Sequence, residues 1–135
     1  MSVFVDTSGF YAFLVRTEDS HDAVRASFAE VLHAGRALWT TSFVIVETMA
    51  LLQHRIGLQA AQDFDEDVLP AVRVQWVDER FYRLGMDRLR RQQRRQVSLV
   101  DCVSFEFMIF QGLTTAIAVD SHFVEAGFRV VPSVR

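Results

Sequence analysis

Along the chain, the period of apolar positions switches between that of strands and that of helices. Val3-Phe4-Val5 is a short unbroken apolar run that stops at Asp6, and Ser8 through Leu14 is helix-compatible, so the chain opens as strand, then helix. Ser20 is placed to cap a second helix whose apolar residues Val24, Phe28, Val31 and Leu32 recur at helical spacing, with Gly35 as its stop. Ala37 to Thr40 reads as a second strand. Ser42 is the expected N-cap of a helix from Phe43 to about Arg55, ended by Gly57. Leu58, Ala61, Phe64 and Val68 mark one face of a further helix ahead of Pro70. Val72, Val74 and Trp76 alternate with Arg73 and Gln75 in strand fashion, and Asp78 caps the helix that follows. Ser98 opens another helix, Leu99 to Gln111, stopped by Gly112. Ala116 to Val119 is a strand ending in Asp120, and Arg129 to Val131 is the last.

Strands that alternate with helices call for right-handed crossovers and a mainly parallel sheet covered on both faces, a three-layer α/β/α architecture. In such folds ligands gather at the carboxyl ends of the strands, where Asp6 and Asp120 fall. The 135 residues, without repeats or a linker-like tract, are read as one domain spanning 1–135.

Composition sharpens this reading. Half of the residues are hydrophobic, twelve of them Phe, and 23% are charged, as in a globular chain. The aromatic surplus has two explanations: a generously filled core, or an added self-association or partner surface. The single cysteine, Cys102, allows no internal disulfide and sits in an apolar segment, which suits a reducing, cytoplasmic setting. The N-terminal segment is not that of a secretory signal, and no membrane span is expected.

The net charge of −3 is unevenly placed: Arg88, Arg90, Arg91, Arg94 and Arg95 put +5 into eight residues and leave −8 for the other 127. Every one of the fourteen basic residues is arginine. The absence of lysine excludes P-loop, kinase, Schiff-base and phosphoryl-aspartate chemistries, which need one.

Four acidic residues occupy places where solvation does not account for them. Glu47 is the only charge between Thr41 and Gln53, inside an apolar run, and Asp6, Asp101 and Asp120 adjoin apolar segments. An ionised carboxylate resists burial unless it finds a cation, donors or water. Four converging carboxylates repel one another, and a hard divalent ion relieves that strain; Mg²⁺, which prefers oxygen ligands, fits, with Mn²⁺ as the alternative. Each acid also has a purely structural explanation. Ser98-x-x-Asp101 matches a helix capping box, Asp6 and Asp120 could open turns, and Glu47 could pair with an arginine. Glu106, five residues past Asp101, is expected to face outward or toward a partner. The four histidines show no metal-ligand spacing and are read as structural.

Asp6-Thr7-Ser8, the start of the Glu47 helix, Ser98-Leu99-Val100-Asp101-Cys102 and Val119-Asp120-Ser121-His122-Phe123 with Gly127-Phe128 resemble the PIN-domain nucleases, most closely the VapC-type toxins of toxin–antitoxin pairs. The resemblance covers nearly the whole chain in the expected order. It implies a metal-dependent endoribonuclease in which Asp6, Glu47, Asp101 and Asp120 carry the acidic metal-binding roles, with Ser8 or Thr7 as a supporting hydroxyl. It further implies a water attacking a phosphodiester to leave 5′-phosphate and 3′-hydroxyl ends, a small antitoxin as partner and a homodimer. The chain departs from the family at Ala118, where relatives often have a hydroxyl residue, and at Ser121, where they often have a basic one. Because an acidic pocket repels RNA, Arg88, Arg91 and Arg95, at helical spacing, are the candidate phosphate-binding residues, the alternative being a solvated helix face. A PIN nuclease of RNA maturation and a catalytically silent binding module are the competing functional readings.

Overall fold

The computed structural model describes residues 2–133. Five parallel strands form one sheet: β1 (Val3–Val5), β2 (Leu38–Thr41), β3 (Val72–Gln75), β4 (Thr115–Ile117) and β5 (Arg129–Val131), in the order β3-β2-β1-β4-β5. Helices α1 (Thr7–Leu14) and α2 (His21–His33) join β1 to β2, and α3 (Ser42–Arg55) and α4 (Leu58–Asp63) join β2 to β3. The long return from β3 to β4 carries α5 (Glu79–Gln92) and α6 (Leu99–Gln111), and the short α7 (His122–Glu125) precedes β5. The first two crossovers step from β1 toward β3, and the later ones step the other way. Right-handed connections therefore put α1 to α4 on one face and α5 to α7 on the other.

Strand alternation builds a separate aromatic core on each face. Phe4 pairs in register with Trp39, and on their side Phe107 packs against both, at 6.1 and 5.6 Å between ring centroids. Phe123 stacks on Phe4 and meets Phe105 edge-on. On the opposite face Phe10 touches Phe28 and Phe64, and Phe13 lies 4.4 Å from Phe28. Seven phenylalanines are almost wholly buried and only Phe110 is well exposed, so the aromatic surplus goes into the core.

Two glycines set how closely these layers approach. A Cβ on Gly9 of α1 would lie 2.5 Å from the carbonyl oxygen of Ile117 at the end of β4. One on Gly85 of α5 would collide with the side chain of Val103 on α6, so α5 lies directly against α6.

Several local expectations are corrected. The cap of α3 is Thr41, whose hydroxyl accepts from the Val44 amide, while Ser42 Oγ accepts from the Val77 amide at 2.8 Å and ties α3 to the segment after β3. At Ser20 no side-chain cap bond forms, and Leu32, on the solvent side of α2, is half exposed. Leu58 is likewise exposed, and the face expected to run on to Val68 leaves α4 at Phe64 through a π-helical turn (Phe64–Val68) and a 3-10 turn at Pro70. Phe64 and Val68, four residues apart, stay on one buried face through this turn. Trp76 lies beyond β3 and is exposed, and β4 ends at Ile117, leaving Val119 and Asp120 in the following turn. Among the described residues no helix is long and apolar enough to cross a membrane.

Candidate active site

The carboxyl ends of the central strands β1 and β4 open into a cleft of about 440 Å³. Asp6, Thr7, Ser8, Glu47, Asp101 and Asp120 all line it, so the fold brings together every acid and hydroxyl singled out in the sequence. Arg88, Arg91 and Arg95 do not line it.

Asp6 follows directly on β1. Its amide donates to the Ile117 carbonyl of β4, and its side chain is the N-cap of α1. Oδ2 accepts from the Ser8 hydroxyl at 2.9 Å, and Ser8 Oγ in turn accepts from the Val119 amide at 2.9 Å. One hydroxyl thus fastens the loop after β1 to the loop that leads to Asp120. The other Asp6 oxygen, Oδ1, is buried without a hydrogen-bond partner, as is Thr7 Oγ1 beside it. Burial drives the Asp6 carboxyl well above the usual carboxylate range; repulsion from Asp120 and Asp101 adds to this and the Ser8 hydrogen bond opposes it.

Asp101 is both a helix cap and part of the cleft wall. Ser98 Oγ accepts from the Asp101 amide and Asp101 Oδ2 accepts from the Ser98 amide, both at 3.1 Å, a complete capping box at the start of α6. That cap points the carboxylate into the cleft. Burial raises its pKa, while the Ser98 amide and the nearby His122 hold it down in part. Asp120, half-buried, accepts from the His122 amide at 3.1 Å.

Glu47 reaches the cleft by a different route from the one its sequence context suggested. It is exposed, as is its neighbour Val46, because this face of α3 is open to solvent at the rim of the cleft. No burial penalty acts on it, and its place in the site rests on position alone.

Sequence reasoning passed over His122 as a lone structural histidine. Its Nδ1 lies 3.1 Å from Asp101 Oδ2 and 3.8 Å from Asp120 Oδ1, so it stands between two of the acids. The signal available in the chain was its place two residues after Asp120 at the head of α7, a helix that the sequence reading did not foresee. Tyr11, Glu18, Arg55, Gln96 and Ser98 complete the more polar part of the wall.

The arginine cluster is dispersed. Arg88 Nε donates to Glu106 at 2.9 Å in a half-buried pair between α5 and α6, and its guanidinium lies over Phe105. Glu106 therefore faces an intramolecular cation, contrary to the outward or partner-facing position expected. Arg94 pairs with Glu125 at 2.8 Å and Arg90 with Asp87 at 3.1 Å. Gln93 adopts a left-handed conformation and ends α5, so Arg95 lies beyond the helix and the expected stripe is broken. Arg91 and Arg95 are exposed.

The donors that converge are oxygens with excess negative charge, one of them buried and unpaired. That chemistry fits a hard divalent cation. Among the described residues no three acidic, imidazole or thiol groups form a ready-made metal cage.

Comparison with known proteins adds a second line. The family model described as PIN domain matches residues 3–129. The chain is 35% identical over 129 residues to the 23S rRNA-specific endonuclease VapC20 of Mycobacterium tuberculosis, covering 93% of this chain and 95% of that protein. The crystal structure of Mycobacterium tuberculosis VapC20, described as a sarcin–ricin loop cleaving toxin, superposes with a TM-score of 0.85 at 31% identity, over 94% of this chain and 96% of that one. VapBC2 from Rickettsia felis, bound to a DNA fragment from its promoter, shares the fold with a TM-score of 0.70 at 13% identity, over 96% and 97% of the two chains.

Proposed function

The chain belongs to the PIN-domain family, and on that premise we propose that it is a Mg²⁺- or Mn²⁺-dependent endoribonuclease, the toxin of a toxin–antitoxin pair. The observation that carries this reading is the convergence of Asp6, Asp101, Asp120 and Glu47 on one cleft, with an Asp6 oxygen buried and unpaired. The relative of 35% identity is a 23S rRNA-specific endonuclease, which makes structured ribosomal RNA the first substrate to test.

In this reading Asp6, Asp101 and Asp120 hold the cation, with Thr7 Oγ1 beside Asp6 as a further oxygen. The bound ion would supply Lewis-acid activation of a water and neutralise charge on the phosphoryl group. The chain's own residues position the parts. Ser8 locks the Asp6 carboxylate and the Val119 backbone in one arrangement, and Ser98 and His122 fix Asp101 from two sides. Glu47, open to solvent at the rim, is placed to take a proton from the attacking water. Water adds to phosphorus as the bond to the 3′-oxygen breaks, leaving 5′-phosphate and 3′-hydroxyl ends.

The test is incubation of the purified protein with total RNA in Mg²⁺, in Mn²⁺ and with a chelator. Discrete cleavage that the chelator abolishes is the expected result, and intact RNA under all conditions would leave a silent binding module. For the toxin role, expression alone should arrest growth, and a small partner should copurify that presents a helix and an arginine toward the acids. Normal growth on induction would favour an RNA-maturation role.

With Arg88 engaged by Glu106, the outer phosphate contacts fall to Arg91 and Arg95. Replacing both by Ala should lower the slope of log affinity against log salt by about 1.4 for a single-stranded RNA, at about 0.7 per phosphate contact. An unchanged slope in a salt titration would return these arginines to the role of a solvated surface.

A further inference from the structure

The cleft has two chemically distinct ends, and the function above accounts for one of them. Glu47, Leu51 and Arg55 line it from α3 at successive four-residue intervals, a single stripe along the helix. Glu47 lies toward the acids, and Arg55, in the last position of α3, is about 12 Å further along the axis at 1.5 Å per residue. Across from this stripe α1 contributes Thr7, Ser8 and Tyr11. The acid end is thus continued by an end made of Tyr11, Leu51 and Arg55.

Arg55 is the only arginine among the described residues that line the cleft. Among the described residues its guanidinium makes no ion pair, in contrast to Arg88, Arg90 and Arg94. It lies over the ring of Tyr11, 5.6 Å from the centroid, and Tyr11 is itself buried. A ring beneath a guanidinium fixes its plane and leaves its edge donors available. Glu18 also lines the cleft, and among the described residues no ion pair joins it to Arg55. A fork of donors held over a ring at the end of a groove whose other end repels phosphate suits contact with phosphate oxygens.

We propose that Arg55, seated on Tyr11, binds a backbone phosphate of the RNA further along the strand from the one held at the acids, and so sets how the strand lies in the cleft. The proposal rests on the nuclease reading. A helix C-terminus also favours a cation, so the competing role for Arg55 is neutralisation of the α3 dipole. That role predicts a change in melting temperature and none in RNA binding.

The experiment measures binding of a short fluorescent single-stranded RNA to Asp6→Asn protein, which is not expected to cut it, over a series of salt concentrations. Adding Arg55→Gln should weaken binding by about tenfold, the order expected for a charge-assisted hydrogen bond, and reduce the salt slope by about 0.7. Arg55→Lys keeps the point charge and should restore the slope, with affinity only partly recovered. In the cleavage-competent protein Arg55→Gln should raise KM by a similar factor with kcat within about twofold. RNA bound and cut by the Arg55→Gln protein with unchanged KM and salt slope would overturn the subsite and leave the nuclease reading intact. Wild-type protein that neither binds nor cuts RNA would instead remove the reading on which the subsite depends.

Discussion

Asp6→Asn is expected to reduce RNA cleavage by about a thousandfold or more, and at the same time to raise the melting temperature of the metal-free protein at neutral pH. Loss of activity follows if Asp6 holds the ion, because an amide is a poor ligand for Mg²⁺ and supplies no charge to offset it. The gain in stability comes from the same burial. The Asp6 carboxylate has one oxygen without a partner and shares the cleft with Asp101 and Asp120, so ionising it in the folded state is costly. Asn is a good N-cap, and its side-chain oxygen can keep the bonds from Ser8, so the start of α1 is preserved.

The pH dependence has a definite sign. Asp6 and Asp101 have folded pKa values above their ordinary value of 3.8. As pH rises past that value the unfolded chain releases these protons while the folded chain retains them. The unfolded state then binds fewer protons, and stability falls with rising pH until the folded groups have ionised as well. Metal-free wild-type protein should therefore lose stability from mildly acid pH upward, and Asp6→Asn should show a shallower loss. Saturating Mg²⁺ should stabilise the wild type and have little effect on the variant. Thermal melts across pH, with and without Mg²⁺, together with a cleavage assay, measure all of this. A variant that cuts RNA like the wild type would remove Asp6 from the mechanism, and one that melts lower in the metal-free state at neutral pH would contradict the burial argument.

Gly9→Ala should be the most damaging single-methyl change near the cleft. The new Cβ would lie 2.5 Å from the Ile117 carbonyl oxygen and 3.1 Å from Ile117 Cγ2. The first of these contacts is with main chain, so no change of rotamer relieves it, and α1 must move away from β4. That same carbonyl accepts from the Asp6 amide, and the loop after β4 carries Val119, which donates to Ser8. A shift would thus separate Asp6 from Asp120. Overpacking of this kind costs about 3 kcal/mol, equivalent to a melting temperature lower by about 10 °C in a chain of this size. Cleavage measured well below the new melting point should also fall, because the acids are displaced and not merely because less protein is folded. A Gly9→Ala protein that melts and cuts like the wild type would show that α1 does not depend on this close approach.

Much of the site was legible along the chain because its parts sit at punctuation points. Asp6 ends an apolar run, and Ser98-x-x-Asp101 is a local motif whose capping geometry needs no distant residue. The cap that explains Asp101 structurally also turns its carboxylate into the cleft. Glu47 was found for a reason that did not hold. An apolar run around a charge signals burial only if the whole helix is enclosed, and α3 leaves Val46 and Glu47 open at the rim. Arg88 shows the opposite failure: within its own helix it looked like part of a basic face, and only α6 supplies the Glu106 that occupies it.

What the sequence determined by itself was the alternation of strands and helices, hence a parallel α/β sheet with acids at its carboxyl edge. These features depend on periodicity and on chain breaks, which are local. What only the tertiary structure decided was which side chains meet. His122 stands against Asp101, 21 residues earlier in the chain, and Ser8 bonds to Val119, 111 residues later. Arg55 comes to rest on Tyr11 because α3 crosses α1. Contacts of this kind depend on how far one helix is shifted along another and on which face each presents, and those are fixed by packing between layers, not by the order of residues within either element.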